Sequence, residues 1–551
     1  MEILAPAGNM AQALAAIEGG CDALYGGLKA WNARKRASNF TLEEYKILLE
    51  LCHQKNIKFY MTVNILMTTK EINDLKELFQ STDFPKPDAV IVADLGVVKM
   101  FKDYFPEIPL HASTQFGAYN LDDIKFLEEM GFARVILARE LSLSELKALK
   151  AATSIELEVF IYGSQCIAFS GQCLWGGLLN KTSGNRGGCI GMCRDVYSCN
   201  GVNGQVMYPQ DIDCISLVEE LDNLGIASIK IEGRLRKPED IHRVIKNYSS
   251  IKKCKHIQKR DNYIGYFSDE IPVRDMLNVV NPRNKYNTET ESLSFDYVGL
   301  NDVLKSLNSK CNTVSYETNV AEDCKKLVDM NAECVVFAIS KYDELLKVLE
   351  LDTKRTQIVY KLPILDFNNG LSRMLPLLKG KDVMVSKIGQ IAVARRKGLN
   401  IVAGEYTLNV CNSYAEEFIK QLGVDAYTHH PENFNHYGSN KNAEVIMFGR
   451  IPLGFSRACW DEVGCCNKRC GNDSFMMHNE TKNYDLEILC DNEFGYRTIL
   501  NKEPFGFALS RPVDKARIIL TGLDNDIKDI IINKKLSNKE IVSIGDFVYE
   551  N

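Results

Sequence analysis

The sequence predicts an α/β protein built as a TIM (β/α)8 barrel followed by a second, divergent barrel-like α/β repeat. Three observations lead there. Short β-rich runs alternate with amphipathic helical segments through the first 250 or so residues, the pattern of βα units around a parallel sheet. Part of the second half aligns on the first without gaps. The chain is 551 residues long, 45% hydrophobic and 25% charged, which suits about two barrel-sized domains and excludes disorder, collagen and coiled coil as the main state.

Taken in order, eight strands are expected near Glu2 to Ala5, Asp22 to Tyr25, Lys58 to Asn64, Ala89 to Asp94, Leu110 to Gln115, Arg134 to Glu140, Ile155 to Tyr162 and Ala227 to Glu232. Between them TLEEYKILLELCHQKN, LDDIKFLEEMG and SLSELKALKAA carry apolar residues at helical spacing, and Thr or Ser followed by Glu in capping-box spacing marks helix starts. The barrel domain spans 1–250, interrupted at 163–226 by a cysteine-rich insertion between strands seven and eight. Residues 251–310 hold KKCKHIQKR and NPRNKYNTETES and read as a linker or small excursion, a solvated connector rather than an RNA-binding arm. TVSYET, ECVVFAI, QIVYKLP, DVMVSK, NIVAGEY, DAYTHH and EVIMFG then mark a second repeat over 311–480, with a C-terminal segment at 481–551. Asn120 to Glu140 aligns on Asn412 to Glu432, and EVFIYGSQCIAFSGQC, from Glu158 to Cys173, aligns on EVIMFGRIPLGFSRAC, from Glu444 to Cys459.

Net charge is -6, from 66 Lys and Arg against 72 Asp and Glu, so no general basic field advertises nucleic acid. The N-terminus has no basic leader with a long apolar run, and no stretch of about 18 apolar residues occurs elsewhere. A cytoplasmic protein without membrane contact is expected, and its 18 cysteines are expected as thiols or metal ligands.

Eight of those cysteines fall in two groups. Cys166, Cys173, Cys189 and Cys193 are separated by six, fifteen and three residues with no histidine between them. Four thiolates from one connection suit a 4Fe-4S cluster ahead of a structural zinc, because paired Cys-x-x-Cys turns are absent; four unligated thiols are the bland alternative. The second group, Cys459, Cys465, Cys466 and Cys470, has Pro452 where Cys166 would align, which leaves a second metal site open. Gln115, Glu140, Lys230 and Glu232 fall at expected strand ends, where barrel enzymes place catalytic groups, and Glu158 joins them as a candidate from its cysteine-bearing segment. The bland alternative for Lys230 is an interior ion pair. Arg234 and Arg236 in KIEGRLRK are the best-placed cations for RNA phosphates. No His-Glu-x-x-His helix, Gly-x-Ser-x-Gly elbow or phosphate-binding loop is present, so hydrolysis has no recognisable machinery.

Through EVFIYGSQCIAFSGQC, SGNRGGCIGMCR, YGGLKAWNAR, HASTQ, VILARELS and SIKIEGR, residues 1 to about 250 resemble the collagenase-like peptidase U-32 family. The resemblance implies an iron-sulfur protein acting in oxygen-independent hydroxylation, with a 4Fe-4S cluster on Cys166, Cys173, Cys189 and Cys193 and a hydroxyl donor derived from prephenate. It also implies ribosomal RNA or tRNA as partner. The leading expectation is hydroxylation of a 23S rRNA cytidine. The alternatives are the tRNA wobble uridine, a quinone-type hydroxylation subunit, or the peptidase that the family name asserts.

Overall fold

A computed structural model describes residues 1–199, 202–209, 211–254, 277–278, 297–353, 355–432, 443–458, 474–506, 512–533 and 540–543. The first barrel closes on the eight expected strands. β1 (Glu2–Pro6), β2 (Ala23–Gly26), β3 (Lys58–Val63), β4 (Ala89–Val92), β5 (Leu110–Ala112), β6 (Arg134–Ile136) and β7 (Glu156–Gly163) pair in sequence order, all parallel. The chain then leaves through the insertion, which forms β8 (Tyr197–Cys199), β9 (Val202–Pro209) and β10 (Ile212–Asp213). It returns as β11 (Ser228–Ile231) between β7 and β1. A strand such as AVIV at β4 is wholly buried because helices cover one side and the barrel interior the other. The helices Leu42–Gln54, Thr69–Gln80 and Leu143–Ala152 start in capping boxes, Thr41 with Glu44, Thr68 with Glu71 and Ser142 with Glu145, as their sequences require.

The second half is a complete barrel too. After β12 (Leu277–Asn278) and β13 (Tyr297–Gly299), parallel strands β14 (Cys311–Thr318), β15 (Cys334–Ala338), β16 (Gln357–Lys361), β17 (Asp382–Val385), β18 (Asn400–Gly404), β19 (Tyr427–Thr428) and β20 (Ala443–Gly449) pair in order. A second insertion gives β21 (Pro452–Ser456), β22 (Ser474–Asn479), β23 (Tyr484–Asp491) and β24 (Tyr496–Asn501), followed by the short β25 (Phe505–Gly506). β26 (Val513–Ile519) then closes the barrel between β20 and β14. The last strand described, β27 (Glu540–Ser543), pairs with β25 and β13. The sequence pattern assigned the repeat to 311–480, but its eighth strand lies beyond 480, displaced by the insertion and disguised by Asp514, Lys515 and Arg517 within VDKARII. The helix Leu300–Lys310, assigned to the connector, packs on β13 and β14 and belongs to this barrel.

Each insertion leaves its barrel after the seventh strand, and the two meet in one antiparallel sheet of order β12-β9-β8-β22-β23-β24-β21. β8 of the first insertion pairs with β22 of the second, Tyr197 opposite Asn479. The barrels themselves meet through helices: Leu95–Tyr104 packs on Ser413–Gln421, and Leu121–Glu129 packs on Ile388–Lys397. Because Leu121–Glu129 and Ser413–Gln421 are equivalent in the repeat, these are one contact made twice about a pseudo-two-fold axis, as in an isologous dimer.

Gly96 and Gly389 make that crossing close. A Cβ at Gly96 would stand 2.0 Å from Asn412 Oδ1 and 2.9 Å from the Ala415 nitrogen, and one at Gly389 would stand 2.7 Å from the Asp123 nitrogen. Ala415 and Asp123 are again equivalent positions. Alanine is the better helix former by about 1 kcal/mol, yet each methyl would meet backbone that cannot rotate away. Gly96→Ala and Gly389→Ala are each expected to destabilise the chain by about 1–3 kcal/mol, read as a lower midpoint of urea unfolding; unchanged midpoints would mean that the helix crossing is looser than this.

Candidate active site: a four-thiol loop between two barrels

β7 ends at Gly163, and the chain passes at once into the cysteine loop over the C-terminal face of the first barrel. The segment from Cys166 to Cys173 is held by the second barrel's insertion. Phe169 donates its N–H to the Phe455 carbonyl at 2.6 Å, Leu174 donates to the Leu453 carbonyl at 2.8 Å, and Gln172 Nε2 donates to the Thr407 carbonyl at 2.9 Å. From the other side Gly171, at φ +79°, lets the loop settle on Gln115, whose carbonyl oxygen would be 1.9 Å from a Cβ there.

The glycine-rich run between Cys173 and Cys189 is tied down as well. Arg186 donates to the Leu66 carbonyl at 2.7 Å and grips Glu71 with both terminal nitrogens, at 2.6 and 3.0 Å. Asn185 Nδ2 donates to the Cys173 carbonyl at 3.2 Å. Ser183 Oγ donates to Glu432 Oε2 at 2.6 Å, a contact from the first insertion to the second barrel. The turn Met192–Arg194 carrying Cys193 is fixed by Tyr197, whose hydroxyl donates to the Met192 carbonyl at 2.8 Å.

The four thiols are close enough to feel one another. Burial first, then the charge of neighbouring thiols, pushes Cys173 and Cys193 well above the usual thiol range. Cys166 is raised by burial and then by Cys189, while Arg139 pulls it back. Cys189 is exposed. Left to themselves the thiols resist ionising together, so a set that is to bind as thiolates needs a cation among them.

Around this loop the first barrel's mouth gathers several of the residues singled out from the sequence. Arg139 stacks on Phe160, 4.1 Å from guanidinium to ring centre, and donates to the Ser164 carbonyl at 3.0 Å. Glu140 is 1% exposed, and neither carboxyl oxygen has a hydrogen-bond partner; burial pushes its pKa up to about 7. Glu232 accepts from the Ser164 N–H at 3.4 Å and lies 3.6 Å from Arg34. Gln115 is half-buried in the turn after β5.

Three candidates sit elsewhere. Glu158 and Lys230 are inside the barrel, Lys230 Nζ donating to Glu158 Oε1 at 2.9 Å while Arg134 Nη1 reaches Glu158 Oε2 at 3.2 Å. The second barrel repeats this pair as Arg517 on Glu444 at 2.5 Å, so the pair is architectural and the interior ion-pair reading holds. Arg234 is 5% exposed and faces inward, to Asn32 and Thr62 at 3.4 Å each, which corrects its reading as a surface cation for phosphates. Arg236 does reach the rim, where it pairs with Asp211 at 2.7 Å. Cys459, Cys465, Cys466 and Cys470 lie outside the described residues.

Glu432 was missed by residue-level reading. It is the repeat partner of Glu140, equally buried, and its carboxyl is likewise pushed up to about 7 by burial. Arg457 of the second insertion in turn donates to the Glu140 carbonyl at 2.7 Å and pairs with Glu145. The gapless alignment of the two glutamates was the signal available for this crossing.

Fold and site together define a two-barrel protein with a four-thiol loop clamped between its halves. Residues 8–276 match the family model described as peptidase family U32, and the first barrel is a U32 domain. Among relatives, the Bacillus subtilis "tRNA hydroxylation protein P1" is 32% identical over 263 residues, 45% of this chain and 62% of that protein. The Escherichia coli "23S rRNA 5-hydroxycytidine C2501 synthase" is 33% identical over 255 residues, 45% of this chain and 38% of the relative. The Porphyromonas gingivalis "Collagenase" is 29% identical over 268 residues, 45% of this chain and 64% of the relative. The chain therefore spans less than two thirds of the length of each of these relatives. Among the described residues no helix is long and apolar enough to cross a membrane.

Proposed function

We propose that the chain hydroxylates an RNA base without dioxygen, using a 4Fe-4S cluster held by Cys166, Cys173, Cys189 and Cys193 and a hydroxyl donor of the prephenate type. The observation that carries this reading is the gathering of four mutually interacting thiols on a clamped loop at the mouth of a barrel. Replacing C–H by C–OH on a base is a two-electron oxidation, which side chains alone do not perform. A bound cluster would supply redox or Lewis-acid chemistry. Among the described residues no three Cys, His, Asp or Glu side chains are set for a single metal ion; a tetrahedral zinc with bonds of about 2.3 Å would draw its thiolates to within about 4 Å of one another, whereas a cubane spreads its four ligands more widely.

The chain's own residues would then do the rest. A base must leave its stack to be attacked, and Tyr25, Phe160 and Arg139 line a mouth suited to an unstacked ring. Glu140, neutral below about pH 7, holds a proton on a carboxyl oxygen in a dry setting and can exchange it with the base. Arg34 and Arg236, which keep partial exposure, are the cations left for phosphates once Arg234 is set aside.

Relatives named for tRNA and for 23S rRNA match at similar identity, 32% and 33%, so the test must read both. Nucleoside mass spectrometry of tRNA and rRNA from a deletion strain is expected to show loss of a hydroxylated pyrimidine, with hydroxycytidine in 23S rRNA the leading candidate. Anaerobically purified protein is expected to carry about four iron and four sulfide on the first site. Stoichiometric zinc, or unchanged RNA together with cleavage of gelatin, would overturn the reading. Arg34→Glu with Arg236→Glu is expected to weaken binding of unmodified RNA about tenfold at physiological salt with iron content unchanged; parental affinity would move the RNA site away from this rim.

A further inference from the structure

A cavity of about 1020 Å³ opens at the C-terminal ends of the second barrel's strands, under β23 and β24 of the shared sheet. All of its walls come from residues 317–522, so it is distinct from the thiol loop. This is the face on which barrels bind ligands, and the size suits a small organic molecule.

Two polar atoms of the wall are shielded and have no partner among the described residues: Nη2 of Arg450 and Oγ1 of Thr521. Arg450 is 5% exposed and held rigidly, Nε donating to the Asn501 carbonyl at 2.9 Å and Nη1 to the Gly522 carbonyl at 2.9 Å and to Glu487. Thr521 directly precedes Gly522, which puts its hydroxyl beside the guanidinium. A fixed, dry cation with one nitrogen unused is costly unless something accepts from it. The site is peculiar to the second copy, because Ser164 stands at the equivalent position in the first.

We propose that the second barrel's mouth binds a small organic monocarboxylate, held by Arg450 Nη2 and Thr521 Oγ1, with its apolar body against Tyr406, Phe455 and Tyr496. Two free donors side by side match the two oxygens of a carboxylate. The charge balance favours one negative charge over a phosphate's two, since Arg450 already answers Glu487 and the cavity floor carries Glu317 and Glu405. The aromatic walls want a hydrocarbon body, which inorganic phosphate lacks.

The test reads binding alone, on the full-length protein, and so stands apart from the RNA reading. Saturation-transfer NMR and calorimetry with benzoate, hexanoate and inorganic phosphate are expected to show saturable binding of at least one of the carboxylates and none of phosphate. Arg450→Lys is expected to weaken the carboxylate about tenfold or more, because the ammonium cannot reproduce the fixed fork. Thr521→Val, nearly isosteric and free of any ion pair, is expected to weaken it about threefold to tenfold without changing the unfolding midpoint. Absence of saturable carboxylate binding, tighter binding of phosphate, or carboxylate affinity unchanged in Thr521→Val would each overturn the assignment.

Discussion

Arg517→Met is expected to lower the stability of the chain by about 3–5 kcal/mol, the largest effect of any single substitution outside the cysteines. Arg517 is 0% exposed, and its guanidinium reaches Glu317 at 2.8 Å, Glu405 at 2.5 Å and Glu444 at 2.5 Å. Those carboxylates hold Arg517 well above its ordinary range against the opposing effect of burial, and Arg517 in turn holds Glu405 below its own. Without the cation, three acids would share an apolar barrel with only Lys361 to answer Glu317 and Glu405. Arg517→Lys should fall between parent and Met, since one ammonium cannot span three carboxylates. Glu444→Gln in the Met background should recover part of the loss. Urea midpoints of the full chain decide it, and a midpoint for Arg517→Met within experimental error of the parent would mean that the network is not holding the barrel.

The second large effect is a fall in stability as pH rises from about 4.5 to about 7, reversed by two amide substitutions. Glu140 and Glu432 start from an ordinary value of 4.5 and are pushed up to about 7 by burial. In that window the folded chain keeps two protons that the unfolded chain has lost, so stability is full below about pH 4.5, declines through the window and is level above it. Each group contributes about 3 kcal/mol to the decline at roughly 1.4 kcal/mol per pH unit. Carboxyls lowered by their partners, such as Glu71 and Asp485, act with opposite sign and only below their ordinary values, so the two effects separate on the pH axis. Glutamine imitates the protonated carboxyl. Glu140→Gln and Glu432→Gln should therefore match the parent near pH 4.5 and exceed it at pH 8, and equal stability at both pH values would mean that these carboxyls ionise normally.

Much of the first barrel could be read directly from the chain, because strands buried on both faces are written as unbroken apolar runs and the helices announce themselves with Thr-x-x-Glu and Ser-x-x-Glu starts. The four-cysteine loop was legible for a related reason: thiols at fixed spacing in a polar, glycine-rich insertion have few other uses. Arg234 misled because KIEGRLRK is dense in charge, and density of charge does not reveal that one guanidinium turns inward to Asn32 and Thr62 while its neighbour turns out to Asp211. β26 escaped notice for the same reason, since an arginine that serves three acids in a barrel interior looks, in sequence, like a surface residue. Glu432 illustrates a different gap. Its alignment with Glu140 was visible, but that it reaches across to Ser183 of the other half is a fact of quaternary-like packing, and no local pattern encodes it.

Two similar barrels related by a pseudo-two-fold axis on a single polypeptide behave as a dimer whose subunits can never exchange. Separate copies carrying Cys166 and Pro452 at the equivalent position would sort at random into three kinds of pair, only one of them mixed. Covalent connection makes every molecule the mixed pair and holds the partner at an effective concentration that dilution does not reduce. Once that was secured, the second half was free to give up a thiol, acquire Arg450 and devote Glu432, Phe455 and Leu453 to shaping its neighbour's loop, changes that a symmetric assembly would have had to accept in both halves at once.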